Sequence, residues 1–369
     1  MTRQWILLAD DDRTITEALA MLLEREGRTV IICSDLDSAE IALSHFPVTH
    51  LLSDVQFTGR FGFEGLHFLT RGAMSNVERI VLMSGDANTE LCNAALNLGA
   101  AAVLQKPFDI EALEAALGPG QSEAEGDYDV IRFPSMEEVL AGDDLHVAFQ
   151  PIVRLGEDGP TAFAFEALAR PKGRWAANGP ATLFEYATRR NRLAEMNIVM
   201  MRKALAAAAS LPSDATIFLN LDPIAFEQAD LPQIVTAAAA AGGIDASRVV
   251  LEVTERSAFT NETAAAETFA ALRALGFRFA LDDHGSAYSH LGLITAIGPS
   301  FVKISQAFGT DMESDEAKRR IVHHIVALSA EFGSETIIEG VETSATAAEA
   351  IRLGVGLAQG FFFGRPKAA

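Results

Sequence analysis

Short apolar runs, each closed by a polar residue and followed by a helical pattern, recur along the whole chain and restrict it to a βα architecture. Ile6–Ala9, Val30–Cys33, Leu51–Ser53, Ile80–Met83 and Ala102–Leu104 have strand length. Between them lie apolar residues at helical spacing, such as Ile15, Leu19, Leu22 and Leu23. This alternation predicts an α/β fold, a doubly wound parallel sheet of (βα)5 type. Ligands bind such sheets beyond the carboxyl ends of the strands, where the sequence places Asp10 and Asp11, Asp54, Ser84 and Lys106. A second series, Ala162–Phe165, Ile217–Leu219, Val249–Leu251, Phe277–Leu281, Phe301–Val302, Thr336–Ile338 and Phe361–Phe363, alternates with stretches rich in alanine and leucine. So many βα units predict a (βα)8-type barrel, with its chemistry at the same strand ends. There stand Glu166, Asn220, Glu252, Asp282, Asp283, Lys303 and Glu339.

Charge separates the two series. Residues 118–145 hold eight acidic residues and one basic, and Gly118-Pro-Gly-Gln-Ser-Glu-Ala-Glu-Gly126 combines breakers with like charges. The segment reads as a solvated acidic linker between a domain at 1–117 and a larger one at 146–369. A net charge of −21 repels phosphate backbones and argues against DNA as a partner. The two cysteines, Cys33 and Cys92, have no partner at metal-ligand spacing, so neither a zinc site nor a disulfide framework is suggested. After Trp5 only four apolar residues, Ile6–Ala9, lead up to Asp10, too few for a signal-peptide core, and no run approaches a membrane span. The expectation is a cytoplasmic protein without membrane insertion.

In the first domain, Asp10, Asp11 and Asp54 converge at one sheet edge, where three carboxylates repel unless a cation sits between them. All-oxygen ligands suit Mg²⁺. With that ion bound, Asp54 can attack a phosphoryl group, Lys106 supplies positive charge and the Ser84 hydroxyl donates to the phosphoryl oxygens. Leu-Leu-Ala-Asp-Asp-Asp at 7–12, Leu-Leu-Ser-Asp54, Leu-Met-Ser84-Gly and Gln-Lys106-Pro-Phe together resemble the receiver domain of two-component response regulators. The resemblance implies phosphorylation of Asp54 by a sensor histidine kinase or a phosphotransfer protein. Thr58 stands where receivers often have proline, and Val103 where many carry a switching aromatic residue.

In the second domain, the acids of the barrel mouth, with Glu342 added and Asn220 and Gln359 as neutral donors, tolerate one another only around hard cations, Mg²⁺ or Mn²⁺. Two such ions suit attack of water on a phosphodiester, with Arg170 and Lys303 holding phosphate oxygens. The ordered motifs Phe149-Gln-Pro-Ile-Val, Phe-Glu166-Ala-Leu168-Ala-Arg170, Leu-Asn220-Leu, Leu-Glu252-Val-Thr-Glu, Leu-Asp282-Asp283-His-Gly, Val-Lys303-Ile, Glu339-Gly-Val-Glu342 and Ala-Gln359-Gly-Phe resemble the EAL family of cyclic di-GMP phosphodiesterases. The resemblance implies hydrolysis of cyclic di-GMP to linear pGpG by two metals, in a homodimer. It implies Glu166, Asn220, Glu252, Asp282 and Asp283 as metal ligands, and Lys303 and Glu339 as catalytic groups acting on water. Arg170, Leu168, Gln359 and Glu342 contact or support the substrate. His284 and Ala287 depart from the family loop, and Ser300 and Ser305 replace two aspartates. These departures keep open an alternative, an EAL module that binds cyclic di-GMP or a protein partner without hydrolysis.

Overall fold

The computed structural model describes residues 4–25, 28–57, 77–85, 95–97, 99–118, 130–156, 158–173, 179–254, 259–284 and 297–368. Thr58, Ala287 and the first half of the acidic segment lie outside them. Among the described residues no helix is long and apolar enough to cross a membrane. The chain forms two compact units, one comprising residues 1–144 and 171–191, the other residues 145–170 and 192–369.

The first unit is built on six parallel strands, β1 (Trp5–Ala9), β2 (Thr29–Cys33), β3 (His50–Asp54), β4 (Arg79–Ser84), β5 (Ala102–Gln105) and β6 (Val130–Arg132), in the order β5-β4-β3-β1-β2-β6. The five strands read from sequence are all present. Ile6, Leu8, Val30, Ile32, Leu52 and Val81 bury one sheet face against Ala20, Leu23, Leu113 and Leu117 of the flanking helices. The sixth strand, and a helix at Met136–Ala141 closed by a Ser135/Glu138 capping box, fall in the stretch read as solvated linker. Its second half is not solvated, because Ile131, Phe133, Met136 and Val139 are buried. The helix Pro180–Arg189 also belongs to this unit: the buried Tyr186 hydroxyl donates to Asp35 Oδ2 at 2.7 Å, and Arg190 pairs with Asp37 at 3.3 Å.

The second unit closes an eight-stranded barrel. Its strands are β7 (Leu145–Arg154), β8 (Thr161–Pro171), β9 (Thr216–Leu221), β10 (Val249–Thr254), β11 (Arg278–His284), β12 (Phe301–Ile304), β13 (Glu335–Ile338) and β14 (Leu357–Gln359). Each pairs with the next, and β14 closes on β7. From β8 to β14 the pairings are parallel, whereas β7 runs antiparallel to β14. A two-residue strand, β15 (Lys367–Ala368), adds to β7 beside Ala148 and Phe149.

Two features of this closure differ from the sequence reading. Phe361–Phe363 is a turn after β14 and not a strand; Phe361 and Phe362 are 48% and 47% exposed, and the strand is the preceding Leu357–Gln359. The remaining strand is β7, whose Pro151 argues from sequence against a paired strand. Pro151 falls between the residues that face β15, 148–149, and those that face β14, 152–154, so its missing N–H interrupts neither ladder.

Ile152, Ala164, Phe218, Val250, Ala280, Phe301, Ile337 and Leu357, one from each barrel strand, form one buried cluster that plugs the interior. Side chains of a strand return to the same face every second residue. Two residues toward the mouth from each member therefore lies the next inward layer. It consists of Gln150, Glu166, Asn220, Glu252, Asp282, Lys303, Glu339 and Gln359, and the polar residues of the mouth are the period-two continuation of the apolar plug.

Gly360 fixes the last member of that layer. A Cβ there would run into the backbone of Val341, whose N–H donates to Gln359 O at 3.1 Å. Gly360→Ala should therefore lower barrel stability by about 1–3 kcal/mol through overpacking, read as a fall in melting temperature. An unchanged melting curve would contradict the close approach.

Candidate active site

Lys303 stands at the centre of the barrel layer and is 1% exposed. Its Nζ lies 2.8 Å from Glu252, 2.9 Å from Glu339, 3.1 Å from Asp282 and 3.3 Å from Glu166. The four carboxylates come from β8, β10, β11 and the residue after β13, so no local segment could assemble them. Two amides complete the arrangement: Asn220 Nδ2 donates to Glu166 Oε1 at 2.6 Å, and Gln359 Nε2 donates to Glu166 Oε2 at 2.7 Å.

One ammonium does not balance four carboxylates, and the electrostatics shows it. Burial pushes Glu252 well above the ordinary carboxylate range, with Lys303 opposing and Glu166 and Asp282 adding to the rise. Burial pushes Glu339 up to about 7 against the pull of Lys303. For Lys303, burial favours the neutral amine, but Asp282, Glu166, Glu252 and Glu339 outweigh it and hold its pKa well above that of an ordinary lysine.

Three buried oxygens of this layer, Glu252 Oε1, Asp282 Oδ1 and Gln359 Oε1, accept no hydrogen bond. Asp282 Oδ1 lies near Lys303 but outside hydrogen-bonding geometry. Buried oxygens are rarely left unpaired, and orphaned, carboxylate-rich oxygens are the donor set of a hard divalent cation. The residues present thus fit the metal expected from sequence. Asp283 belongs to β11, but its side chain, like that of His284, lies outside the described residues.

Above the layer opens a cavity of about 570 Å³. Of the residues named from sequence, Glu166, Leu168, Arg170, Glu339, Glu342 and Gln359 line it, with Arg170 Nη1 donating to Ala169 O at 2.7 Å. Gln150, Gln306, Phe361, Arg365 and Pro366 also line it and were given no role from sequence. Gln150 was recoverable, since it stands two residues from Ile152 just as Glu166 stands two from Ala164. Ser305 does not lie on the strand of Lys303; β12 ends at Ile304, and Ser305 is the buried residue before the short helix Gln306–Gly309.

The first unit gathers its own cluster. Oxygens of Asp10, Asp11 and Asp54 all lie within 4.8 Å of one another, the one such acidic group found among the described residues. Lys106 Nζ bridges Asp10 at 2.6 Å and Asp54 at 3.1 Å. Burial raises the pKa of Asp10 against the opposing hydrogen bond from Lys106. Ser84, buried, ends β4, and its carbonyl accepts from Lys106 N at 2.8 Å. All five residues expected from sequence therefore stand at the carboxyl ends of their strands.

Residues 135–366 match the family model described as EAL domain, and residues 6–118 that described as response regulator receiver domain. Cyclic di-GMP phosphodiesterase RocR of Pseudomonas aeruginosa is 26% identical over 331 residues, covering 85% of this chain and 83% of RocR. Cyclic di-GMP phosphodiesterase PdeB of Shewanella oneidensis is 29% identical over 62% of this chain, which spans only 27% of that protein. A solved structure described as PaMucR phosphodiesterase in complex with c-di-GMP is 30% identical, with a TM-score of 0.55 over 61% of this chain and 98% of that one.

The central ion group yields a prediction. Lys303→Met removes the cation of this group and leaves four carboxylates facing one another, at a cost of about 3–5 kcal/mol. In chelator its melting temperature should fall well below wild type, and added Mn²⁺ should raise it by more than it raises wild type. Equal melting of the two proteins in chelator would refute the role of Lys303 as internal counter-ion.

Proposed function

Because the chain belongs to the EAL domain family and carries a response regulator receiver ahead of that domain, we propose that it is a response regulator whose barrel hydrolyses cyclic di-GMP to pGpG under control of phosphorylation at Asp54. The observation that carries this reading is the ring of carboxylate and amide oxygens around Lys303 at the floor of the cavity, with the Arg170 guanidinium above it. Glu166, Asn220, Glu252, Asp282 and Asp283 would hold two Mg²⁺ or Mn²⁺ ions. When bound, these cations neutralise the phosphodiester and make the attacking water more acidic.

The chain's own groups do the rest. Arg170 and Leu168 hold the dinucleotide, the first by its phosphate and the second by apolar contact. Lys303 orients the water and Glu339 takes its proton. The water oxygen bonds to phosphorus, the phosphorus–O3′ bond breaks and the leaving 3′-oxygen is protonated. Gln359 keeps the Glu166 carboxylate in place through its hydrogen bond, and Glu342 borders the same space.

In the receiver, Asp10, Asp11 and Asp54 would hold one Mg²⁺. Asp54 attacks phosphorus, the phosphoryl group leaves the donor histidine of a sensor kinase or phosphotransfer protein, and Lys106 and Ser84 stabilise the aspartyl phosphate. The same reading makes the protein a cytoplasmic homodimer.

Purified protein incubated with cyclic di-GMP and Mg²⁺ or Mn²⁺ should release pGpG, followed by chromatography, and Glu166→Ala should reduce turnover to background with the fold retained. Binding without turnover in the wild type would replace this reading with that of a cyclic di-GMP receptor. Asp54→Asn should abolish labelling by acetyl phosphate, because an amide is a poor nucleophile. Acetyl phosphate should then alter turnover in the wild type only, and an equal response in both proteins would exclude control through Asp54.

A further inference from the structure

The turn Gly360–Arg365 presents a charged aromatic pair that the hydrolytic machinery does not use. Arg365 Cζ lies over the Phe361 ring, 4.1 Å from its centroid. Both residues are exposed, and both line the cavity that holds Glu166, Glu339 and Arg170. Among the described residues Arg365 has no hydrogen-bond or ion-pair partner. A guanidinium lying on an aromatic face keeps its donors directed sideways in its own plane.

The pair is held in place from both sides. Gly360 packs against the Val341 backbone, Phe362 N donates to Val341 O at 3.1 Å, and Gly364 N donates to Gly360 O at 3.2 Å. Gln150 Nε2 donates to Gly364 O at 3.2 Å, and Lys367, two residues after Arg365, is already paired with Phe149 in β15. A platform fixed before the ligand arrives loses little entropy on binding.

A guanidinium fork matches two adjacent acceptors in one plane. Guanine offers that pair at O6 and N7, whereas adenine offers N7 beside an amino donor that repels the fork. We propose that Arg365, backed by the Phe361 ring, reads the O6/N7 edge of a guanine and is the specificity-determining residue of the cavity. This inference rests on the cyclic di-GMP reading above and adds to it the means by which guanine is chosen over adenine.

The test measures dissociation constants of the full chain for cyclic di-GMP and cyclic di-AMP by calorimetry in Ca²⁺, with melting curves as the check of folding. Wild type should prefer the guanine dinucleotide. Arg365→Met should reduce that preference by about tenfold or more, whereas Arg365→Lys, whose ammonium still donates to O6 and N7 but lacks the planar fork, and Phe361→Ala should each reduce it less. Phe362→Ala, on the same turn but outside the cavity, should leave the preference unchanged. Equal weakening of both dinucleotides in Arg365→Met, or a preference retained in full in that variant, would overturn the proposal and leave the cyclic di-GMP reading standing. A wild type that binds neither dinucleotide would overturn both.

Discussion

The contact of one buried ammonium with four carboxylates sets the terms for the rest of the barrel. Lys303 Nζ is within 3.3 Å of Glu166, Glu252, Asp282 and Glu339, and a group so far from water is stable only when its partners are rigidly placed. The rigidity comes from the layer beneath, where eight apolar side chains fill the interior. Because strand side chains alternate, the plug and the polar layer are one construction: any shift that loosens the first displaces the second. A charge imbalance remains, and the oxygens of Glu252, Asp282 and Gln359 accept no hydrogen bond, which is the donor chemistry a hard cation takes.

The same device appears in smaller form in the receiver. There Lys106 bridges Asp10 and Asp54, and a third acid, Asp11, brings an oxygen within 4.8 Å of theirs. In both units a lysine at one strand end pairs with acids contributed by other strand ends. The difference is depth: the side chain of Lys106 is 19% exposed and that of Lys303 1%. On the proposed function this difference has a use, since a phosphoryl donor protein would have to reach the first and a small dinucleotide would descend to the second.

Most of this was legible in the sequence, because the polar residues that matter end apolar runs of strand length. Five receiver strands and the positions of Glu166, Asn220, Glu252, Asp282, Lys303 and Glu339 follow from that pattern alone. It failed where tertiary contacts override local preference. The aromatic run Phe361–Phe363 has strong strand propensity, but Gly360 must approach Val341 so closely that the chain turns there and leaves two rings exposed. β7 hides behind Pro151, tolerated because its edge changes partner at that residue. The strand and helix between Val130 and Ala141 were masked by the acidic residues around them, although Ile131, Phe133, Met136 and Val139 carried the apolar signal. Gln150 escaped because its strand runs in the opposite direction, so the polar residue precedes the apolar one.

The proposed hydrolysis requires that water, held among these side chains, attack phosphorus in cyclic di-GMP. Hydrolysis in ¹⁸O-enriched water with Mn²⁺, followed by mass spectrometry of the product, tests it most directly. One ¹⁸O atom in the 5′-phosphate of pGpG is the predicted result, with none in the 3′-hydroxyl. Label in the 3′-hydroxyl, or cyclic di-GMP recovered intact from a protein that binds it, would contradict the account.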